Sequence, residues 1–176
     1  MSHEACAVQY TGPRRVLHAG CGKTPLPEFL HGCTETRLDI DPSTAPDVVA
    51  SMSDIGDIGP FDAIWCSHSL EHLKPADGIS ALREFVRVLA PGGYAMIVVP
   101  DLEGVRPTNE VLYEAAVGPI TGLHMFYGHD GMNNPHMLHR TGFISETLKV
   151  ALEAAGFAKV KTQRLGDYNL LGVGVK

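Results

Sequence analysis

The chain has 176 residues, a size that suits one domain around one core, and its 44% hydrophobic and 19% charged content is that of an ordinary globule. A net charge of −6 argues against a protein built to grip a phosphate backbone, so nucleic acid is not an expected partner. Four cysteines without a C-x-x-C pair, no signal-like N-terminus and no apolar run near the roughly 20 residues of a membrane helix predict a cytoplasmic protein with reduced thiols.

Met1–Pro13 carries no periodic signal and is expected to be a loose arm. Arg15–Ala19 reads as a buried strand, followed by the turn Gly20-Cys21-Gly22. Glycine lets the backbone approach a ligand because no Cβ stands in the way. Pro27 can open a short helix, Pro27–His31, that Gly32 stops, so a long first helix is not expected. Thr36–Ile40 is the second strand and runs into Asp39 and Asp41. An acid at such a strand tip can accept the hydroxyl protons of a ribose. Gly20 and Asp39 are 19 residues apart, close to the spacing of about 20 expected between a phosphate- or carboxylate-facing turn and that acid.

Asp47–Ser51 reads as a short third strand. The step Pro42–Asp47 is too short for a crossover helix, but an extended seven-residue step spans about 23–25 Å, enough for a bare crossover. Phe61–Ser67 is the fourth strand. Pro75–Leu89 is the clearest helix, with Ile79, Leu82, Val86 and Leu89 as its apolar stripe and Pro91-Gly92-Gly93 as its stop. Tyr94–Pro100 is a nearly continuous apolar run and predicts a central strand buried on both faces.

Asn109–Val117 can be read as a helix. The stretch after it, up to Gly142, is rich in Gly, His, Met and Asn and has no period; a loop of that length is usually functional or disordered. Ser145–Ala155 is a helix with Ser145 as its cap, Leu148, Ala151, Leu152 and Ala155 as its face, and Gly156 as its end. Phe157–Leu165 and Asn169–Val175, joined by the short link Gly166–Tyr168, predict an antiparallel pair.

In this order, V-L-H-A-G-C-G, L-D-I-D-P, F-D-A-I-W-C-S-H-S-L-E-H-L and R-V-L-A-P-G-G-Y-A-M-I-V-V-P resemble the class I S-adenosylmethionine-dependent methyltransferases, in particular their small type 11-like members. The resemblance covers about Arg14–Asp101. It implies a Rossmann-like α/β fold: a mostly parallel seven-stranded sheet with an antiparallel C-terminal strand, here with the first helices shortened or absent. It also implies one domain over 1–176, with a lid or substrate loop inserted at about 103–143.

Carried over position by position, the resemblance implies S-adenosyl-L-methionine as cofactor. Gly20, Cys21 and Gly22, with His18 before them, would face its methionine part and offer N–H groups to a carboxylate. Asp39, with Ile40 beside it, would hold the ribose. Ser51 and Met52 would lie on the adenine side, and Ser67 and His68 near the methyl group. The family often has an acid where His18 and Ser51 stand, and Thr24 replaces a third glycine. A non-catalytic cofactor-binding or regulatory module on the same fold is therefore the alternative.

Methyl transfer from a sulfonium is an in-line displacement, so the protein mainly aligns reactants and excludes water. A hydroxyl or charged-amine acceptor also needs a base. The candidates are His72, Tyr127, His129 and His139, the last two favoured. The expected partner is an unidentified small-molecule acceptor, a saccharide or another metabolite, and no membrane.

Competing readings are weaker. A nicotinamide cofactor would want a glycine where Pro25 stands. His68-Ser69-Leu70-Glu71-His72 spells a zinc-hydrolase pattern, but that chemistry needs both histidines on one helix face. His124, His129, His136 and His139 cluster with only Asp130 as a carboxylate, so no metal is expected. Asp39-Ile40-Asp41 spells the D-x-D of metal-dependent glycosyl transfer, three letters that are too common to weigh.

Overall fold

The computed structural model describes residues 15–129 and 135–176. The expected N-terminal arm, Cys6 and Asp130 lie outside the described residues. Strand β1 (Arg15–Ala19) keeps its predicted bounds and is buried from Val16 to Ala19. Beside it run β2 (Thr34–Asp39) and the two-residue β3 (Val48–Val49) on one flank, and β4 (Phe61–Ser67) and β5 (Leu89–Pro100) on the other. All of these pair in parallel. The sheet is closed by β8 (Lys159–Arg164) and β9 (Asn169–Val175), in the order β3-β2-β1-β4-β5-β9-β8. Strand β9 is antiparallel to both of its neighbours. This is the Rossmann-like class I architecture that the resemblance implied.

The crossovers on the β2 side are nearly bare. A 3-10 turn at Glu28–Leu30 stands where a first helix would run, and another at Pro42–Thr44 joins β2 to β3. Between β1 and β2, Leu26 and Leu30 act as a small apolar plug against Val16 and Ala63. The opposite face carries helices α1 (Pro75–Val88) and α3 (Ser145–Ala155), which pack on each other and on the main core around Leu17, Ile64, Phe85, Ile97, Leu148 and Leu152.

The buried face of α1 is Ala81, Leu82, Phe85 and Val88, while Ile79 is exposed and Val86 half-buried. The observed stripe is rotated from the expected one, and Leu89 begins β5. The helix therefore stops at Val88, before Pro91-Gly92-Gly93. Those three residues form a bulge instead, since Phe61 pairs with Leu89 but Ala63 with Tyr94.

The expected helix over Asn109–Val117 is a hairpin, β6 (Val111–Ala115) and β7 (Gly118–Thr121). Val111 and Tyr113 favour strand, Gly118 supplies φ +112 at the bend, and Pro119 offers no N–H to continue a helix. Helix α2 (Gly122–Tyr127) follows, with the Thr121 hydroxyl accepting from the His124 N–H at 3.3 Å. Helix α3 has the expected bounds, but its cap residue is Ile144. Thr147 Oγ1 accepts from the Ile144 N–H at 3.0 Å, while the Ser145 hydroxyl is 2.7 Å from that of Thr162. Gly156 ends the helix in the left-handed conformation, as expected. Among the described residues, no helix is long and apolar enough to cross a membrane.

Candidate active site

The C-terminal ends of β1, β2 and β4 open onto a cleft of about 680 Å³. Gly20, Cys21, Gly22, Asp39, Ile40, Ser51, Met52, Ser67 and His68 all line it. Ligands of open α/β sheets bind at this end, where successive crossovers leave in opposite directions. One wall comes from a distant part of the chain, through His136, Met137 and Arg140.

Asp39 is nearly buried and is held at both oxygens. Its Oδ2 accepts from the Gly22 N–H at 2.7 Å and its Oδ1 from the Asp41 N–H at 2.9 Å. Each oxygen keeps a further lone pair. The turn differs from expectation here. The Gly20 and Cys21 N–H groups both donate to the Leu38 carbonyl, at 2.8 and 3.1 Å, and the third donates to Asp39. The N–H groups expected to face a ligand carboxylate are thus spent on the fold. The positive side chains lining the cleft are instead Lys23 and Arg140, neither of which had a motif to mark it.

His18 is buried beneath the turn and does not line this cleft, but it borders an adjoining hollow of about 550 Å³. Its Nδ1 lies 2.8 Å from Glu35 Oε1. Burial pulls the imidazole below its ordinary pKa, against the opposing pull of Glu35. Arg37 reaches the same Glu35 oxygen at 3.0 Å. Its guanidinium also donates to the Gly22 carbonyl at 2.8 Å and the Thr24 carbonyl at 3.0 Å. His18, Glu35 and Arg37 thus form a charged brace under the turn. The alternation of β2 could have placed Glu35 and Arg37 on one face, but nothing in the sequence tied them to His18.

Gly20 has φ +65, and a Cβ there would strike the Ser69 side chain. Its glycine requirement comes from packing against the exit of β4 as well as from its backbone. The Met52 and Cys66 sulfurs meet at 3.8 Å below the cleft, and burial raises the Cys66 thiol pKa far above its ordinary value.

Of the four expected bases, His72 lines the cleft, and His139 packs against it with ring centroids 5.1 Å apart. Tyr127 is exposed and His129 lies against His124 at 4.5 Å; neither lines the cleft. His68 sits at φ +49, unusual for a residue with a Cβ, and its Nε2 lies 2.9 Å from Asn169 Oδ1. Burial lowers the His68 pKa, but Glu71 and Asn169 outweigh it and the net shift is upward.

A family model described as "Methyltransferase domain" matches residues 7–162 of this sequence. No curated protein matches it. Solved structures do. The 1,6-didemethyltoxoflavin-N1-methyltransferase of Burkholderia thailandensis, with bound 1,6-didemethyltoxoflavin and S-adenosylhomocysteine, is 20% identical with a TM-score of 0.61, over 93% of this chain and 71% of that one. An S-adenosylmethionine-dependent methyltransferase from Mesorhizobium loti is 16% identical with a TM-score of 0.66, over 94% and 92%. One from Archaeoglobus fulgidus is 20% identical with a TM-score of 0.62, over 94% and 87%.

Proposed function

The chain belongs to the methyltransferase domain family, and from this premise we propose that it transfers a methyl group from S-adenosylmethionine to oxygen or nitrogen of a small molecule. The observation that carries the reading is Asp39: a rigidly held carboxylate, with lone pairs to spare, facing a cleft of about 680 Å³ beside a glycine turn. In this reading Asp39 takes the ribose hydroxyls and Ile40 and Met52 border the adenine. The methionine part lies along Gly20–Gly22 toward Ser67 and His68. Lys23 or Arg140 neutralises the methionine carboxylate, because the turn has no N–H left to offer it.

The cofactor brings the electrophile, so the chain's task is alignment and exclusion of water. The acceptor enters beside His68 and His72, and its proton leaves toward this histidine-rich end of the cleft. His136, Met137 and Arg140 stand at the outer wall, and in this reading the segment 103–143 is a substrate loop within a one-domain chain. The net charge of −6 favours a small-molecule acceptor over a phosphate backbone.

Calorimetric titration with S-adenosylmethionine and S-adenosylhomocysteine tests the reading. One site of micromolar affinity for either nucleotide is expected. No heat with either, at millimolar concentration, would remove the cofactor and the enzyme with it.

A further inference from the structure

Glu71 stands in the 3-10 turn Leu70–His72 that follows β4, and its side chain is almost fully buried. Neither carboxylate oxygen accepts a hydrogen bond among the described residues. The nearest cationic group is His68, whose Nδ1 is 3.5 Å from Glu71 Oε1, outside hydrogen-bond geometry. A buried carboxylate without donors is costly, and His68 at this distance leaves both of its oxygens without a hydrogen bond.

Two imidazoles surround it, each already oriented. His139 Nδ1 is 2.9 Å from the Met125 carbonyl, and His72 Nδ1 is 3.2 Å from the Leu138 carbonyl. A carbonyl can only accept, so in both rings Nδ1 carries the proton and Nε2 keeps its lone pair. A backbone carbonyl behind one ring nitrogen is how proteins fix the tautomer of a metal-ligating histidine. The ligand atoms of Glu71, His72 and His139 all lie within 4.8 Å of one another. Two ligands about 2.1 Å from one ion are at most about 4.2 Å apart, so small side-chain rotations close the set.

We propose that Glu71, His72 and His139 form a binding site for one divalent transition-metal ion of the zinc kind. Two imidazoles and one carboxylate favour such an ion over magnesium or calcium, which prefer oxygen. The ion answers the charge of Glu71 and leaves at least one coordination position open. This site is not the zinc pattern legible in the letters His68 to His72, because its third ligand arrives from His139, beyond β7 and α2. With the ion in place, His72 is a ligand and not a base. An oxygen-bearing acceptor would bind the open position, where the ion lowers its pKa so that its proton passes to water. That consequence rests on the methyltransferase reading; the binding itself does not.

The full chain, stripped with chelator and free of nucleotide, is titrated with zinc chloride in a calorimeter. One equivalent is expected to bind, with affinity lowered at least about 100-fold by Glu71→Gln and by His139→Ala. Cobalt(II) added to the unmutated chain is expected to give the visible bands of an imidazole- and carboxylate-bound ion, a readout independent of whether the variants fold. No binding, or several equivalents that both folded variants retain, would overturn the site and leave Glu71 as an ion-pair partner of His68 only. Either failure leaves nucleotide binding, measured separately without metal, untouched.

Discussion

The Ser69 hydroxyl donates to the Gly20 carbonyl at 3.0 Å, so the exit of β4 is tied directly to the turn that leaves β1. The same hydroxyl reaches the Ser67 carbonyl at 3.1 Å. The two strand tips that border the cleft are thus one piece. Gly20→Ala forces a Cβ into Ser69 at a positive φ and should cost about 2 kcal/mol or more. Urea unfolding checks this. The pair Gly20→Ala with Ser69→Gly should recover part of the loss, since two residues in contact couple.

Asp39→Asn keeps the shape of the side chain but removes its charge. It should weaken S-adenosylhomocysteine binding by about 100-fold, the scale of losing charged hydrogen bonds to two hydroxyls. Calorimetry reads the affinity. Asn is preferred to Ala because its one carbonyl oxygen still accepts from the Gly22 or the Asp41 N–H, whereas Ala strips both of their acceptor.

Arg37→Ala removes the guanidinium that holds the Gly22 and Thr24 carbonyls. The expected result is an affinity for the nucleotide reduced about 3- to 10-fold, with a lower melting temperature. Arg37→Lys should not restore it, because a point charge cannot replace a planar fork that meets several acceptors at once.

His18 predicts a pH effect with a definite sign. Its folded pKa lies below the ordinary value of 6.5, so the folded chain binds fewer protons than the unfolded one. Its contribution to stability is therefore full above about pH 6.5 and is lost as pH falls below that value, by at most about 1.4 kcal/mol per pH unit. Urea midpoints at successive pH values should fall more steeply for the native chain than for His18→Gln. Equal slopes would mean that Glu35 and Asp39 cancel the burial of the ring and the charge of Arg37.

Strand positions and the cleft floor were legible because their signals are local. Apolar runs gave β1 and β4 to the residue, and the glycine turn with an acid 19 positions later marked two features of the cleft floor on which the proposed reading stands. What could not be read was set by distant contacts. Glu35 and Arg37 look like ordinary polar strand residues until β1 is laid beside them with His18 at the same level. Arg140 and Met137 enter the wall only because the chain returns there, its Arg140 and Thr141 N–H groups bonding the Glu71 carbonyl at 2.8 and 3.1 Å. The hairpin at Val111–Thr121 was missed for a local reason: Glu114, Ala115 and Ala116 favour helix, and the turn at Gly118 overrides them.

The outermost strand, β3, is pinned to β2 by only two residue pairs, Leu38 with Val48 and Asp39 with Val49, and no helix lies across the crossover that leads to it. A nucleotide lying from Asp39 to Met52 would span that seam like a rivet. Occupancy and edge order should then rise together: amide exchange at Val48–Ala50 slows when nucleotide is added, while the α1 interior stays unchanged.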